Sequence, residues 1–184
     1  MHFDTIIAGF GGQGILLMGD LLAYAAMEEG KEVTYLPTYG VEMRGGTANC
    51  TVTIANEPIG SPVTVSPDAA VVMNEESLDK FQPRVKRGGL LLVNTSFVPE
   101  GKAMRTGLEV VLVPANDLAA QLGNSKMSNM VVLGALVERT RVVDLETVKS
   151  SLIKVLPARN RKHIPLNIKA MDLGAQACRG KHTQ

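Results

Sequence analysis

The sequence predicts an α/β protein: a mostly parallel sheet with helices on both faces and a helical C-terminal segment. Three observations predict it. A short apolar run ends in a glycine-rich turn that opens a helical stretch. Short aliphatic runs then alternate with further helical stretches, as strands covered on both faces do. Past Asn124 only helical periodicity remains.

The elements follow in order. Residues 4–9 (DTIIAG) read as a strand. Glycines at 11, 12 and 14 turn the chain, and ILLMGDLLAYAAMEE from Ile15 reads as a largely buried helix. Gly30 suits its stop. Residues 32–36 read as a second strand, and strand–turn–helix–strand predicts a parallel βαβ pair. Residues 37–46 (PTYGVEMRGG) hold too many glycines for a helix and are expected to form a long loop. TANCTVTIA, residues 47–55, is β-branched and alternating, a strand signature. Strands are expected at 69–73, 90–93 and 108–113, with a short helix at 75–81 between the first two. Pro114 introduces a helix to residue 122. Helices then follow at 129–140, at 145–156 behind an Asp144 cap, and from about 165 to 178.

The 184 residues predict a single domain, with a flexible tail from about residue 180. Hydrophobic residues are 45% and charged residues 20%, a globular mixture. With 4% aromatics and no Trp there are few rings to stack bases, which argues against a nucleic-acid binder. No apolar run reaches the roughly 20 residues of a membrane span. The N-terminal residues lack a signal-peptide pattern. With only two cysteines, a soluble cytoplasmic protein is expected. The net charge of +1 is unevenly spread. Residues 1–60 carry two Lys/Arg against seven acids, whereas residues 149–184 carry eight against Asp172 alone. The basic end suits a phosphate or an acidic partner as well as a solvated surface.

Two motifs carry the candidate site. Gly9, Gly11, Gly12 and Gly14 with Gln13 form GFGGQG, a match to G-x-G-x-x-G between strand and helix. Such a turn offers close backbone approach and a helix N-terminus that favours anions. A dinucleotide site also calls for an acid at the end of the second strand, and Tyr35-Leu36-Pro37-Thr38 supplies none. The glycines therefore suit close packing, another anionic ligand or a partner chain. The second motif is Tyr39, Gly40, Val41, Glu42, Met43, Arg44, Gly45 and Gly46, expected beside the first at the carboxyl end of the sheet. Glu42 and Arg44 either pair or form an anion clamp. His2, His163 and His182 show no metal spacing, and no nucleophile–base motif is present, so no catalytic or metal-binding residue is assigned.

The two motifs together resemble the gamma subunit of 2-oxoacid:ferredoxin oxidoreductases. The likeness continues through GTANCTVTIANEPIGSPV, DAAVVMNEES and SNMVVLGAL, residues 128–136. Indolepyruvate enzymes contain a similar domain, and a stand-alone nucleotide-dependent oxidoreductase is a further alternative.

The resemblance implies a Rossmann-like domain, inactive alone, within an enzyme that decarboxylates a 2-oxoacid on thiamine diphosphate. It implies alpha and beta subunits carrying that cofactor, a cluster-bearing delta subunit or domain, and ferredoxin as electron acceptor. It also implies a role in coenzyme A binding and assembly, adding Ser128 and Asn129 to the two motifs as candidate contacts. The short separate chain and YGVEMRGG lean toward 2-oxoglutarate as substrate. The isolated chain is expected to self-associate into a dimer.

Overall fold

The structure is a computed structural model that describes residues 1–39, 46–99, 101–102 and 105–179. Strand β1 (His2–Phe10) leads through the glycine turn into helix α1 (Ile15–Glu28). The chain returns as β2 (Glu32–Tyr39) and then β3 (Thr47–Ala55). Strand β4 (Ala69–Val72), helix α2 (Glu75–Phe81), strands β5 (Leu90–Asn94) and β6 (Glu109–Val113) and helix α3 (Ala115–Gln121) follow. Helices α4 (Ser128–Thr140), α5 (Leu145–Val155) and α6 (Ile164–Arg179) complete the described chain. The predicted elements are present, with boundaries shifted by at most three residues.

The strand order corrects one expectation. The six strands lie in the order β2-β3-β1-β4-β5-β6. β1 and β2 run in the same direction but do not pair, because β3 lies between them and is antiparallel to both. β1 and β3 pair over all nine residues, from His2 opposite Ala55 to Phe10 opposite Thr47. The pairs β1–β4, β4–β5 and β5–β6 are parallel. The expected loop also starts later, because β2 continues through Pro37 to Tyr39. Pro37 donates no backbone hydrogen bond, which an outermost strand tolerates.

Alternation along β3 explains its place. Ala48, Cys50, Val52 and Ile54 enter the core shared with α1, while threonines and Asn49 occupy the alternate positions. That pattern suits an antiparallel strand with one apolar face. The buried, wholly aliphatic β4 and the buried β5 have cores on both faces. On one face, α1 and α3 through α6 enclose the larger core. On the other, Leu78 and Phe81 of α2 meet Ile6, Ala8, Ala70, Val72, Leu91 and Val93. Among the described residues, no helix is long and apolar enough to cross a membrane.

Helices α4 and α6 touch backbone to backbone. A Cβ at Gly134 would fall on the Met171 carbonyl oxygen, and one at Gly174 on that of Val131. A side chain on either glycine must force the helices apart. Gly134→Ala is therefore expected to lower unfolding stability by about 3 kcal/mol, the upper range for overpacking. Urea denaturation would measure it.

Candidate functional site

The glycine turn lies where β1 ends and α1 begins, at the carboxyl edge of the parallel strands. Gly12 (φ +95°) and Gly14 (φ +73°) both adopt the positive φ that glycine allows without strain. Their surroundings differ. A Cβ at Gly12 would meet nothing within 4 Å, so this backbone borders open space. At Gly14 the Asn129 amide already occupies the Cβ position. Gly9 is as crowded, with Ile15 Cδ1 at 2.7 Å and Met73 Cβ at 2.9 Å from a built Cβ. Gly9 and Gly14 therefore serve packing, and Gly12 leaves room for a ligand.

Gln13 holds the turn. Its Oε1 accepts from the Phe10 N–H at 2.6 Å, and its Nε2 donates to the Met73 carbonyl at 3.4 Å. The glycine turn is thus tied to the end of β4. The second motif joins from the other side, where the Gly11 N–H donates to the Gly46 carbonyl at 3.0 Å. Tyr39 and Gly9 both pair with Ala48 of β3. Gly40, Glu42, Arg44 and Gly45 lie outside the described residues.

The two motifs border a cleft of about 310 Å³ lined by Phe10, Gly11, Gly12, Gly14, Ile15, Leu16, Leu17, Tyr39 and Ala48. No charged side chain lines it. Tyr39, 70% exposed, is the most open large side chain on its wall. The N-terminus of α1 borders the cleft without a side-chain cap, and its first turn holds no acid. Its free N–H groups and positive dipole end favour an anion.

The N-terminus of α4 comes to the same place. Ser128 and Asn129 open that helix, and both are buried, at 5% and 6% exposure. Neither side chain has a hydrogen-bond partner among the described residues. Asn129 abuts Gly14, so the N-termini of α1 and α4 meet at the glycine turn with a carboxamide between them.

Sequence reading missed the amides along the same edge. Asn74 caps α2, accepting from the Ser77 N–H at 2.8 Å, while its own Nδ2 is buried without a partner. Asn94 is fully buried at the end of β5, accepting from the Ala115 N–H at 3.1 Å and donating to Asn116 at 2.9 Å. The available signal was an asparagine closing an aliphatic run.

Beneath the cleft, Cys50 lies under α1, near the Ile15 carbonyl. Burial pushes its thiol up to about 12, so it is protonated at neutral pH and a poor nucleophile. Burial also raises Asp20, against the hydrogen bond from Tyr35, and raises Tyr35 itself. A larger groove of about 480 Å³ lies at the opposite edge of the sheet, lined by Glu29, Glu138, Arg141, Asp144 and Arg179 among others. Its charges are already paired, with Arg179 on Glu138 at 2.7 Å and Arg141 on Glu138 at 3.8 Å. The carboxyl-edge cleft is the stronger candidate, because an uncapped helix N-terminus borders it and no charged side chain lines it. Among the described residues, no three metal-ligating side chains gather.

The profile of the pyruvate ferredoxin/flavodoxin oxidoreductase family matches residues 4–177. The chain belongs to this family. It is 37% identical over 174 residues to ketoisovalerate oxidoreductase subunit VorA of Methanothermobacter marburgensis, covering 94% of this chain and 36% of that protein. The chain thus spans about a third of the length of that relative. It is 33% identical to 2-oxoglutarate synthase subunit KorC of Methanocaldococcus jannaschii, with 85% of each covered. Among solved structures, a keto/oxoacid ferredoxin oxidoreductase gamma subunit from Geobacter sulfurreducens superposes with a TM-score of 0.84 at 28% identity, covering 98% of both chains. A 2-oxoglutarate:ferredoxin oxidoreductase from Magnetococcus marinus, with 2-oxoglutarate, coenzyme A and succinyl-CoA bound, shares the fold at TM-score 0.87 and 24% identity. This chain covers 32% of that longer one. Family members named for ketoisovalerate, 2-oxoglutarate and pyruvate all match, so the names single out no substrate.

The buried position of Cys50 gives a direct test. In the folded protein at pH 8 it is expected to resist iodoacetamide and to react fully in urea. Mass mapping of the alkylated peptide checks this.

Proposed function

We propose that this chain is the gamma subunit of a 2-oxoacid:ferredoxin oxidoreductase and that it holds coenzyme A at the glycine turn. The carrying observation is the meeting of two helix N-termini, with Ser128 and Asn129 at the second, beside an apolar cleft. Coenzyme A combines phosphates with a long, weakly polar arm, and the cleft offers matching chemistry for both. The N–H groups of α1 and α4 suit phosphate oxygens. The Asn129 amide supplies further donors, and Ser128 a hydroxyl. Gly11, Gly12 and Gly46 permit close backbone approach, Gln13 fixes their turn, and Tyr39 offers a flat wall. Arg44 is the proposed cationic clamp, with Glu42 its pairing partner, and Gly40 and Gly45 are proposed contacts from the same motif.

The residues do not fit the enzyme's other cofactors. An iron–sulfur cluster needs about four thiolates. This chain has only Cys50 and Cys178, both free and buried. It also lacks a Gly-Asp-Gly…Asn-Asn thiamine-diphosphate motif. The proposal therefore leaves decarboxylation and electron transfer to alpha, beta and cluster-bearing partners, and acyl transfer to coenzyme A at their junction with gamma. The same reading makes this chain inactive alone and, with two free thiols, cytoplasmic. The 2-oxoglutarate expectation draws on relatives of similar length that carry that name, alongside others of similar length named for pyruvate. A stand-alone dinucleotide enzyme is disfavoured, because β3 separates the end of β2 from the glycine turn.

Asn129→Asp keeps the shape and adds a negative charge where phosphate is proposed. In the assembled complex it is expected to raise the KM for coenzyme A about tenfold, the equivalent of about 1.4 kcal/mol, with the oxoacid KM unchanged. Arg44→Ala should act in the same direction. Steady-state assay with a viologen acceptor reads both constants, and an unmoved coenzyme A KM in both variants would refute the binding role.

A further inference from the structure

Three aromatic side chains are exposed among the described residues: Phe10 at 36%, Phe97 at 54% and Tyr39 at 70%. All three belong to the carboxyl edge of the parallel strands. Phe10 ends β1, Tyr39 ends β2, and Phe97 follows β5. Phe10 and Tyr39 both line the cleft beside the glycine turn, and Tyr39 is the more open of the two. A ring left this open contributes little buried area to the fold.

The cleft is held at a set width. Ile15, Leu16 and Leu17 come from the first turn of α1, Tyr39 from β2, and Ala48 from β3, directly opposite Tyr39. One turn further along, α1 lies close on the sheet. A Cβ at Gly19 would fall 2.5 Å from Cys50 Sγ and 2.7 Å from Tyr35 Cε2. The Tyr35 hydroxyl donates to the Leu16 carbonyl at 3.3 Å. Tyr35 and Tyr39 share a face of β2, because side chains alternate along a strand. The contacts of Gly19 and Tyr35 thus set how far the first turn of α1 stands from Tyr39, which pre-organises the cleft.

Size and lining narrow the occupant. About 310 Å³ lies at the lower end of the range for small-molecule sites, roughly 300–1,000 Å³. The cleft admits one compact group of coenzyme A, not the whole molecule. No charged side chain lines it, so it suits an uncharged group whose phosphates stay outside, at the helix N-termini. An aromatic ring stacks on any nucleobase, because every base has a π-face. The flexible arm of coenzyme A has no flat face to offer Tyr39. The arm also has another task, since its thiol must reach the acyl transfer that partner chains carry out. The thiol end therefore extends away from this chain, and the nucleotide end is left for it to hold.

We infer that the cleft between Tyr39 and the first turn of α1 seats the adenine base of coenzyme A, so that this chain holds the nucleotide end and leaves the thiol end free. This inference rests on the coenzyme A reading above. The test is calorimetric binding to the assembled complex, with coenzyme A and its two halves, adenosine bisphosphate and phosphopantetheine, as probes. Tyr39→Ala is expected to weaken coenzyme A and adenosine bisphosphate together by about tenfold, the loss of one base–ring stack, and to leave phosphopantetheine unchanged. Tyr39→Phe keeps the ring and is expected to bind all three as the wild type does. Tyr39 is 70% exposed, so neither variant is expected to shift the melting temperature. Phosphopantetheine weakened by Tyr39→Ala, or a wild type that binds phosphopantetheine but not adenosine bisphosphate, overturns the inference and puts the arm in the cleft. Equal losses in Tyr39→Phe and Tyr39→Ala overturn it too, because the hydroxyl and not the ring is then the contact. Unchanged binding in Tyr39→Ala, with Asn129→Asp weakening coenzyme A, overturns the adenine seat and leaves the coenzyme A reading standing. Unchanged binding in both variants overturns the reading and the seat together.

Discussion

The insertion of β3 between β1 and β2 is the constraint on which the rest of the structure depends. Nine consecutive residue pairs fix β3 against β1 in a single register. A slip of one residue would turn Cys50, Val52 and Ile54 out of the core and threonines into it. The same register sets Thr47 opposite Phe10 and brings Gly46 within bonding distance of Gly11. The neighbourhood of the two glycine motifs, 30 residues apart in sequence, is thus a by-product of strand pairing. It needs no side chain of its own.

The second wall of the site depends on a different contact. α4 presents Ser128 and Asn129 to the glycine turn because its middle is pressed against α6 at Gly134 and Gly174. Larger residues there would displace α4 and draw Asn129 away from Gly14. Small residues at a helix crossing therefore position a polar group about a turn away.

Much of this was legible in the residues. The glycine turn, the Gly30 stop, the Asp144 cap and the helical C-terminal segment follow from local chemistry, and local chemistry is what a sequence writes plainly. Gly30 does adopt a positive φ, and Asp144 does accept from the Glu146 N–H. The strand order was less legible, because pairing partners are chosen by the whole sheet. Even so, the alternation of Thr47 to Ile54 against the aliphatic runs of β4 and β5 carried the antiparallel signal. The carboxamides of Asn74 and Asn94 were harder to read, because their importance lies in which N–H groups the fold delivers to them. The packing role of Gly9 and Gly14, as against the open backbone of Gly12, is likewise a matter of tertiary neighbours.

The first strand starts at the amino edge of the sheet, and the last helix returns there, with Arg179 bonded to Glu138 at the far end of α4. The outer ends of β1 and α6 therefore both lie on the side opposite the glycine turn, which keeps the cleft clear of them.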